Sequence, residues 1–141
     1  MNDYVHLFFN ASSENELFIR TAAAAFALRL DPTVQDIYEI KTILSEAVTN
    51  CIIHAYEDKA DGKIEVEMTI IENELHIKIK DYGCGIEDIN QAMEPMYTTK
   101  PEKERSGLGF SIMQTFSDDM QLESKIGIGT EINIIKKIKK E

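Results

Sequence analysis

Several things are scarce in this sequence, and each shortage removes a class of protein. The 141 residues hold two cysteines, Cys51 and Cys84. Neither their number nor their spacing suits a disulfide scaffold or a zinc site, so a reducing compartment, the cytoplasm, is expected. No apolar run approaches the roughly 20 residues a membrane helix needs, so no membrane association is expected. The opening "MNDYVHLFF" puts an acidic residue, Asp3, where a secretory leader would want basic ones. Basic side chains are also few: 15 against 25 acidic ones give a net charge of −10. A protein that neutralises nucleic-acid phosphates needs the opposite balance, so direct nucleic-acid binding is not expected. Without the tail "KKIKKE" the body carries 11 basic and 24 acidic side chains, a net −13. Such a body favours a basic protein partner, because opposite charge speeds encounter. Lys136, Lys137, Lys139 and Lys140 of the tail are expected on the solvated side of a last strand, anchored by Ile135 and Ile138.

What is present reads as one soluble domain over 1–141, with 43% hydrophobic and 28% charged residues. "VHLFFNA" predicts a first strand. "SSENELFIRTAAAAFALRL" predicts a helix, with Ser13 and Glu16 as a capping box and Leu17, Ala24, Phe26, Leu28 and Leu30 as its apolar surface. Asp31-Pro32 ends it and opens a second helix from about Thr33 to His54, Pro32 fitting the first helical position. "KADGK" is turn chemistry. "KIEVEMTII" and "ELHIKIKD" alternate apolar and polar residues and predict two strands joined by a tight turn at Glu72-Asn73. A short helix is expected around Glu87–Met93, and a loop over "EPMYTTKPEKERS". "GLGFSIMQTFSDD" returns to helical spacing, and "MQLESK" and "GTEINIIKKIK" supply two closing strands. The pattern predicts an α/β (α+β) two-layer arrangement, helices over one face of a mixed, mostly antiparallel sheet.

Chemistry is signalled in two places. In "SEAVTNCIIHAY", Glu46, Asn50 and His54 recur every four residues and so share a helix face. A carboxylate on a packed face is costly without purpose, which marks Glu46 as a candidate proton acceptor. Asn50 offers an amide oxygen to magnesium, which takes few protein ligands, while His54 reads as a structural histidine near the helix end. The second signal is glycine. Six of seven glycines form three G-x-G pairs: Gly83/Gly85, Gly107/Gly109 and Gly127/Gly129. None extends to G-x-G-x-x-G, and no G-x-x-x-x-G-K-[ST] occurs, so dinucleotide-fold and P-loop readings fail. Asp81, just before the first pair, only accepts hydrogen bonds and suits the exocyclic amino group of adenine. Arg105 and Ser106 lead into Gly107, Leu108 and Gly109 at a helix start, where free N–H groups and a guanidinium suit phosphate. Thr130 follows the third pair at a strand start.

Taken in order, Glu46-x-x-x-Asn50, Asp81-x-Gly83-x-Gly85, Gly107-x-Gly109 and Gly129-Thr130 resemble the nucleotide-binding boxes of the GHKL superfamily, which includes gyrase and histidine-kinase ATPase domains. Within it, "SENELFIRTAAAAFALRLDPT", "EIKTILSEAVTNCIIHAY" and "PMYTTKPEKERSGLGFSIM" are most similar to the sporulation anti-sigma-F family of serine protein kinases. The resemblance implies the Bergerat ATP-binding fold, an α/β sandwich, as a homodimer. It further implies ATP or ADP bound with Mg2+, a sigma factor F held inactive, and an anti-anti-sigma factor phosphorylated on serine. Carried over, Glu46 is the general base, Asn50 the metal ligand, Asp81 the adenine acceptor and Thr130 a contact beside it. Thr98, Thr99 and Lys100 belong to a lid, Arg105 lies near the terminal phosphate with Gly107 and Gly109 beneath it, and Arg20 docks a partner. One departure is Ala55, where the family often has glycine. A kinase of another sigma system, or a binding module using nucleotide only structurally, are the alternatives; the retained Glu46 favours an enzyme.

Overall fold

The computed structural model describes residues 3–56, 61–86, 88, 93 and 109–138. Five strands form one sheet: β1 (Tyr4–Asn10), β2 (Lys63–Ile71), β3 (Glu74–Asp81), β4 (Asp119–Lys125) and β5 (Gly129–Lys137). Their spatial order is β1-β2-β3-β5-β4, and every pairing is antiparallel. Among the described residues three α-helices accompany them: α1 (Glu14–Ala27), α2 (Val34–Asn50) and α3 (Gly109–Phe116). The expected two-layer α+β fold is therefore the observed one. Apart from Asp88 and Met93, the short helix expected around Glu87–Met93 lies outside the described residues, as does the loop over 94–106.

Strand alternation decides which sheet face is covered. Ile64, Val66 and Met68 on β2, Leu75, Ile77 and Ile79 on β3, and Ile132 and Ile134 on β5 are all buried. Against them pack Ile19, Ala23 and Ala27 of α1 and Ile40, Ile43, Leu44, Ala47 and Val48 of α2. Both helical sets recur at three- and four-residue steps, the stripe a core-facing helix needs. Burying each large aliphatic side chain contributes about 1.5–3 kcal/mol before entropy is counted. The opposite sheet face is polar, with His6, Glu65, Glu67 and Lys78 linked by ion pairs. The hairpin turn falls at Glu72-Asn73 as expected, since Ile71 pairs directly with Glu74.

Five local expectations are corrected. Ser13 makes no side-chain cap and lies in helical conformation. The capping box belongs to α2, where Thr33 Oγ1 accepts from Asp36 N and Asp36 Oδ2 from Thr33 N, both at 3.0 Å. Pro32 consequently stands before the N-cap, not inside the helix; Asp31, at φ +53°, makes the turn that separates the two helices. Leu17 of α1 and Leu28 just after it are exposed, because the buried stripe runs through Ile19, Ala23, Phe26 and Ala27. The second helix also changes form: Cys51–Ala55 make a π-helical turn, closed by Tyr56 N donating to Cys51 O at 3.1 Å. The last strand keeps Ile138 as a buried anchor and Lys137 exposed, as expected, but departs from expectation at Lys136 and Ile135, while Lys139 and Lys140 lie outside the described residues. Ile132 and Ile134 point inward, so period two carries Lys136 inward as well, while Ile135 falls on the polar face.

Replacing Thr33 by alanine removes a working cap and is expected to lower unfolding free energy by about 1 kcal/mol. Ser13→Ala is expected to change it by less than ~0.5 kcal/mol. Urea titration of both variants checks this; a larger loss for Ser13→Ala would reverse the assignment of caps.

Candidate functional site

Two polar clusters meet at the C-terminal end of α2. In the first, Glu46 and Asn50 lie one turn apart, half-buried and buried respectively. Gly109, the first described residue of α3, sits against both. A Cβ there would lie 3.1 Å from Glu46 Oε2 and 3.2 Å from Asn50 Nδ2. Glycine thus lets the start of α3 come down onto a carboxylate and an amide. The first N–H groups of a helix have no acceptor within it and form its positive end. Asn50 Nδ2 is buried and has no hydrogen-bond partner among the described residues. An orphaned buried donor costs about 1–3 kcal/mol, which an acceptor from outside the chain would offset.

The second cluster surrounds Asp81, the last residue of β3 and only 5% exposed. Its Oδ1 accepts from Gly83 N at 3.0 Å and from Thr130 N at 3.2 Å. Thr130 arrives there because it pairs directly with Asp81 in the β3–β5 ladder. Its Oδ2 faces the Cys51 thiol at 3.6 Å. Burial raises the Asp81 carboxyl above its ordinary range, and the donors around it pull the other way. Burial first, and the Asp81 charge second, push the Cys51 thiol well up, so it stays protonated and donates. Backbone donors therefore occupy Oδ1, while Oδ2 holds only a weak thiol donor and keeps capacity for an amino group. Asn50 and Cys51 are consecutive, so one peptide joins the two clusters.

Two glycines make this close packing possible. Gly129 has φ +142°, and any Cβ on it would collide with the Asp81 carbonyl oxygen. A Cβ on Gly83 would lie 2.5 Å from the carbonyl oxygen of Ala55. Ala55, the departure noted from sequence, is accommodated in the π turn, its carbonyl accepting from Cys84 N at 3.4 Å. Gly85, at φ +81°, lies beside Lys125 of β4. His54, the third polar residue of the sequence column, lies within this π turn and is half-buried.

A model of the histidine kinase-like ATPase domain matches residues 9–136. The chain is 50% identical over 137 residues to the anti-sigma F factor of Caldanaerobacter subterraneus subsp. tengcongensis, covering 97% of this chain and 95% of that one. It is 46% identical over 140 residues to the anti-sigma F factor of Bacillus subtilis (strain 168), covering 99% and 96%. The chain belongs to the anti-sigma F factor family. Solved structures agree on the fold. The RsbU and RsbW domains of Rv1364c from Mycobacterium tuberculosis superpose with TM-score 0.68 at 15% identity, over 96% of this chain and 32% of that one. The catalytic domain of histidine kinase ThkA gives 0.60 at 16% identity, over 97% and 99%.

For an anti-sigma F family member, the structure gathers Glu46, Asn50 and Gly109 in one cluster and Asp81, Gly83 and Thr130 in the other. Thr98, Thr99, Lys100, Arg105, Ser106, Gly107 and Leu108 lie outside the described residues. Arg20 stands apart on α1, paired with Glu16 at 3.1 Å. Three supporting residues escape sequence reasoning. Cys51 bonds to Asp81, Ser124 links Ile86 N (2.7 Å) to Thr130 Oγ1 (2.9 Å), and Tyr56 bridges Tyr82 N to the Lys63 carbonyl. Only Ser124 carried a usable signal, its register opposite Thr130, and that needs the strand pairing first.

Gly129→Ala is expected to destabilise the protein by about 2–4 kcal/mol, since it combines a forbidden backbone angle with a clash. Chemical denaturation checks it, and a loss under about 1 kcal/mol would contradict the close approach. Asp81 gives a pH signature. Its folded pKa lies above its ordinary 3.8, so its contribution is full below that value and is lost as pH rises through the raised pKa. Asp81→Asn should therefore gain Tm relative to wild type as pH climbs from about 4 towards 7. Parallel Tm–pH profiles would show that Asp81 titrates normally.

Proposed function

We propose that this protein is an ATP-dependent serine protein kinase that also binds and inhibits a sigma factor, sigma F, and phosphorylates an anti-anti-sigma factor. On this reading it works in the cytoplasm as a homodimer, each chain one ATP-binding domain over 1–141. The observation that carries the reading is the seat of Gly109 on Glu46 and Asn50: a helix start, a carboxylate and an unpartnered amide at one point. The names of the relatives support the sigma-factor side of it.

Nucleotide is read from both clusters. Asp81 Oδ2 accepts from the adenine amino group, and Thr130 adds its hydroxyl beside that base. Gly83 and Gly85 keep the turn after β3 close to the base. Gly109, with Gly107, Leu108 and Ser106 before it, brings helix N–H groups to the phosphates, which Thr98, Thr99 and Lys100 cover. The donor set fits Mg2+, since Asn50 supplies an amide oxygen and Glu46 stands one turn away to bind its hydration shell. The ion, when bound, neutralises phosphate charge. Glu46 accepts the proton of the attacking serine hydroxyl, and Arg105 neutralises charge on the transferred phosphoryl group. Arg20 sits on α1 away from these groups and contacts the protein partner.

Glu46→Gln keeps the shape of the side chain and removes its basicity. It is expected to bind Mg·ATP with near-wild-type affinity and to transfer phosphate to the anti-anti-sigma protein at least about 100-fold more slowly. Calorimetry and a labelled-ATP transfer assay measure the two quantities. Near-normal transfer would take Glu46 out of the general-base role. A wild-type chain that binds ATP and transfers nothing would leave a sigma-binding module with a structural nucleotide.

A further inference from the structure

Lys136 is the most unusual buried residue in the chain, a lysine 2% exposed on the covered face of β5. Its ammonium bonds to Glu39 Oε1 on α2 and donates to the Phe116 carbonyl, the last residue of α3, at 2.8 Å. Glu39 is itself held by Gln35 Nε2, which donates to Oε2 at 2.8 Å. Nothing in the nucleotide reading uses this pair, yet its position relates directly to the site. Glu39 and Glu46 are seven residues apart on α2, two turns, and so lie on one face. Seven residues of α2 rise about 10 Å and the eight of α3 about 12 Å, so the two lengths match. α3 therefore lies along α2, its first residue against Glu46 and Asn50 and its last tied to Glu39 through Lys136.

We propose that the Lys136–Glu39 pair is a positioning clamp for phosphate binding: it fixes the far end of α3 to α2 and so holds Gly109 against Glu46 and Asn50. The inference rests on the nucleotide reading above and deepens it. α3 is short: Gly109 and Met113 are buried and Phe110 and Phe116 pack partly against the core, contacts that are apolar and carry no directional bond along the helix axis. An apolar pair of the same volume would serve stability as well as a buried ion pair does. What the ion pair adds is direction, because a lysine ammonium and a backbone carbonyl bond only at one separation. The cation also sits at the negative end of the α3 dipole, opposite the end offered to phosphate.

Lys136→Met alone takes the cation from the Glu39 carboxylate, a cost to folding that is unrelated to phosphate; the decisive variant is Glu39→Gln/Lys136→Met, which removes both charges, with Glu39→Gln as a control that keeps the Phe116 bond. Calorimetric titration with Mg·ATP and, separately, with adenosine is compared across wild type and both variants, beside thermal unfolding. Adenosine, bound through Asp81, should keep its affinity within about twofold in the double variant, while ATP affinity falls about tenfold. Glu39→Gln should lie between wild type and the double variant. Equal losses for the two ligands, or none for either, would make the pair purely structural and overturn the clamp. A wild-type chain that binds adenosine but gains nothing from the phosphates overturns the phosphate reading and the clamp with it, a result distinct from variants that match a phosphate-binding wild type.

Discussion

Asp81 loses almost all contact with water at the end of β3, and a carboxylate so placed must find its donors within the chain. That requirement reaches through three elements. β5 must pair with β3 in the register that brings Thr130 N to Oδ1, and Gly129 must pass so close that no side chain fits. The chain after β3 must turn back at once to bring Gly83 N to the same oxygen. α2 must end where Cys51 reaches Oδ2. Because Asn50 precedes Cys51, fixing the carboxylate also fixes the amide, and with it the place where α3 can land.

Legibility followed physical cause. The strands and the β2–β3 turn could be read because alternation and burial coincide along them, and residues at one face of a pleated strand have little freedom. The glycine pairs and Asp81 could be read because close approach of backbone leaves a compositional mark. Capping was misplaced because Ser13-x-x-Glu16 and Thr33-x-x-Asp36 have the same pattern, and only the entry angle of the chain decides which side chain reaches its amide. β5 was misread at Ile135 and Lys136 because "INIIKKIK" offers isoleucine on both faces; the β3 partners Ile77 and Ile79 decide in favour of Ile132 and Ile134. The end of the second helix fell where expected, but its winding could not be read, because a π turn has no sequence signature of its own. It arises where Ala55 and Gly83 must share space beneath Asp81.

α2 thus carries two duties on one rod. Its inner stripe is aliphatic and bound to the sheet, while the line Glu39, Glu46, Asn50 is polar and faces α3. The stripe supplies the rigidity that lets the polar line hold a fixed geometry, since side chains on a packed helix lose the freedom to wander. A site built on a surface loop would need its own scaffold to reach the same precision.

Charge sets the last condition. The chain carries −10 overall, and the proposed pocket adds two carboxylates, Glu46 and Asp81, beside a polyanionic ligand. Salt screens distant charges beyond about 8 Å, so the balance is decided locally. On the proposed reading Asp81 avoids conflict by meeting the base instead of the phosphates; burial raises its carboxyl above the ordinary range and so favours the neutral form. Glu46 has no such separation, because the start of α3 stands directly over it. Phosphate can share that space only if positive charge comes with it: helix N–H groups, the basic side chains that precede Gly109, and a divalent cation on Asn50. If the proposed pocket is the nucleotide site, its electrostatics in so acidic a chain call for nucleotide and metal to enter together, which is a stronger demand than either cluster makes alone.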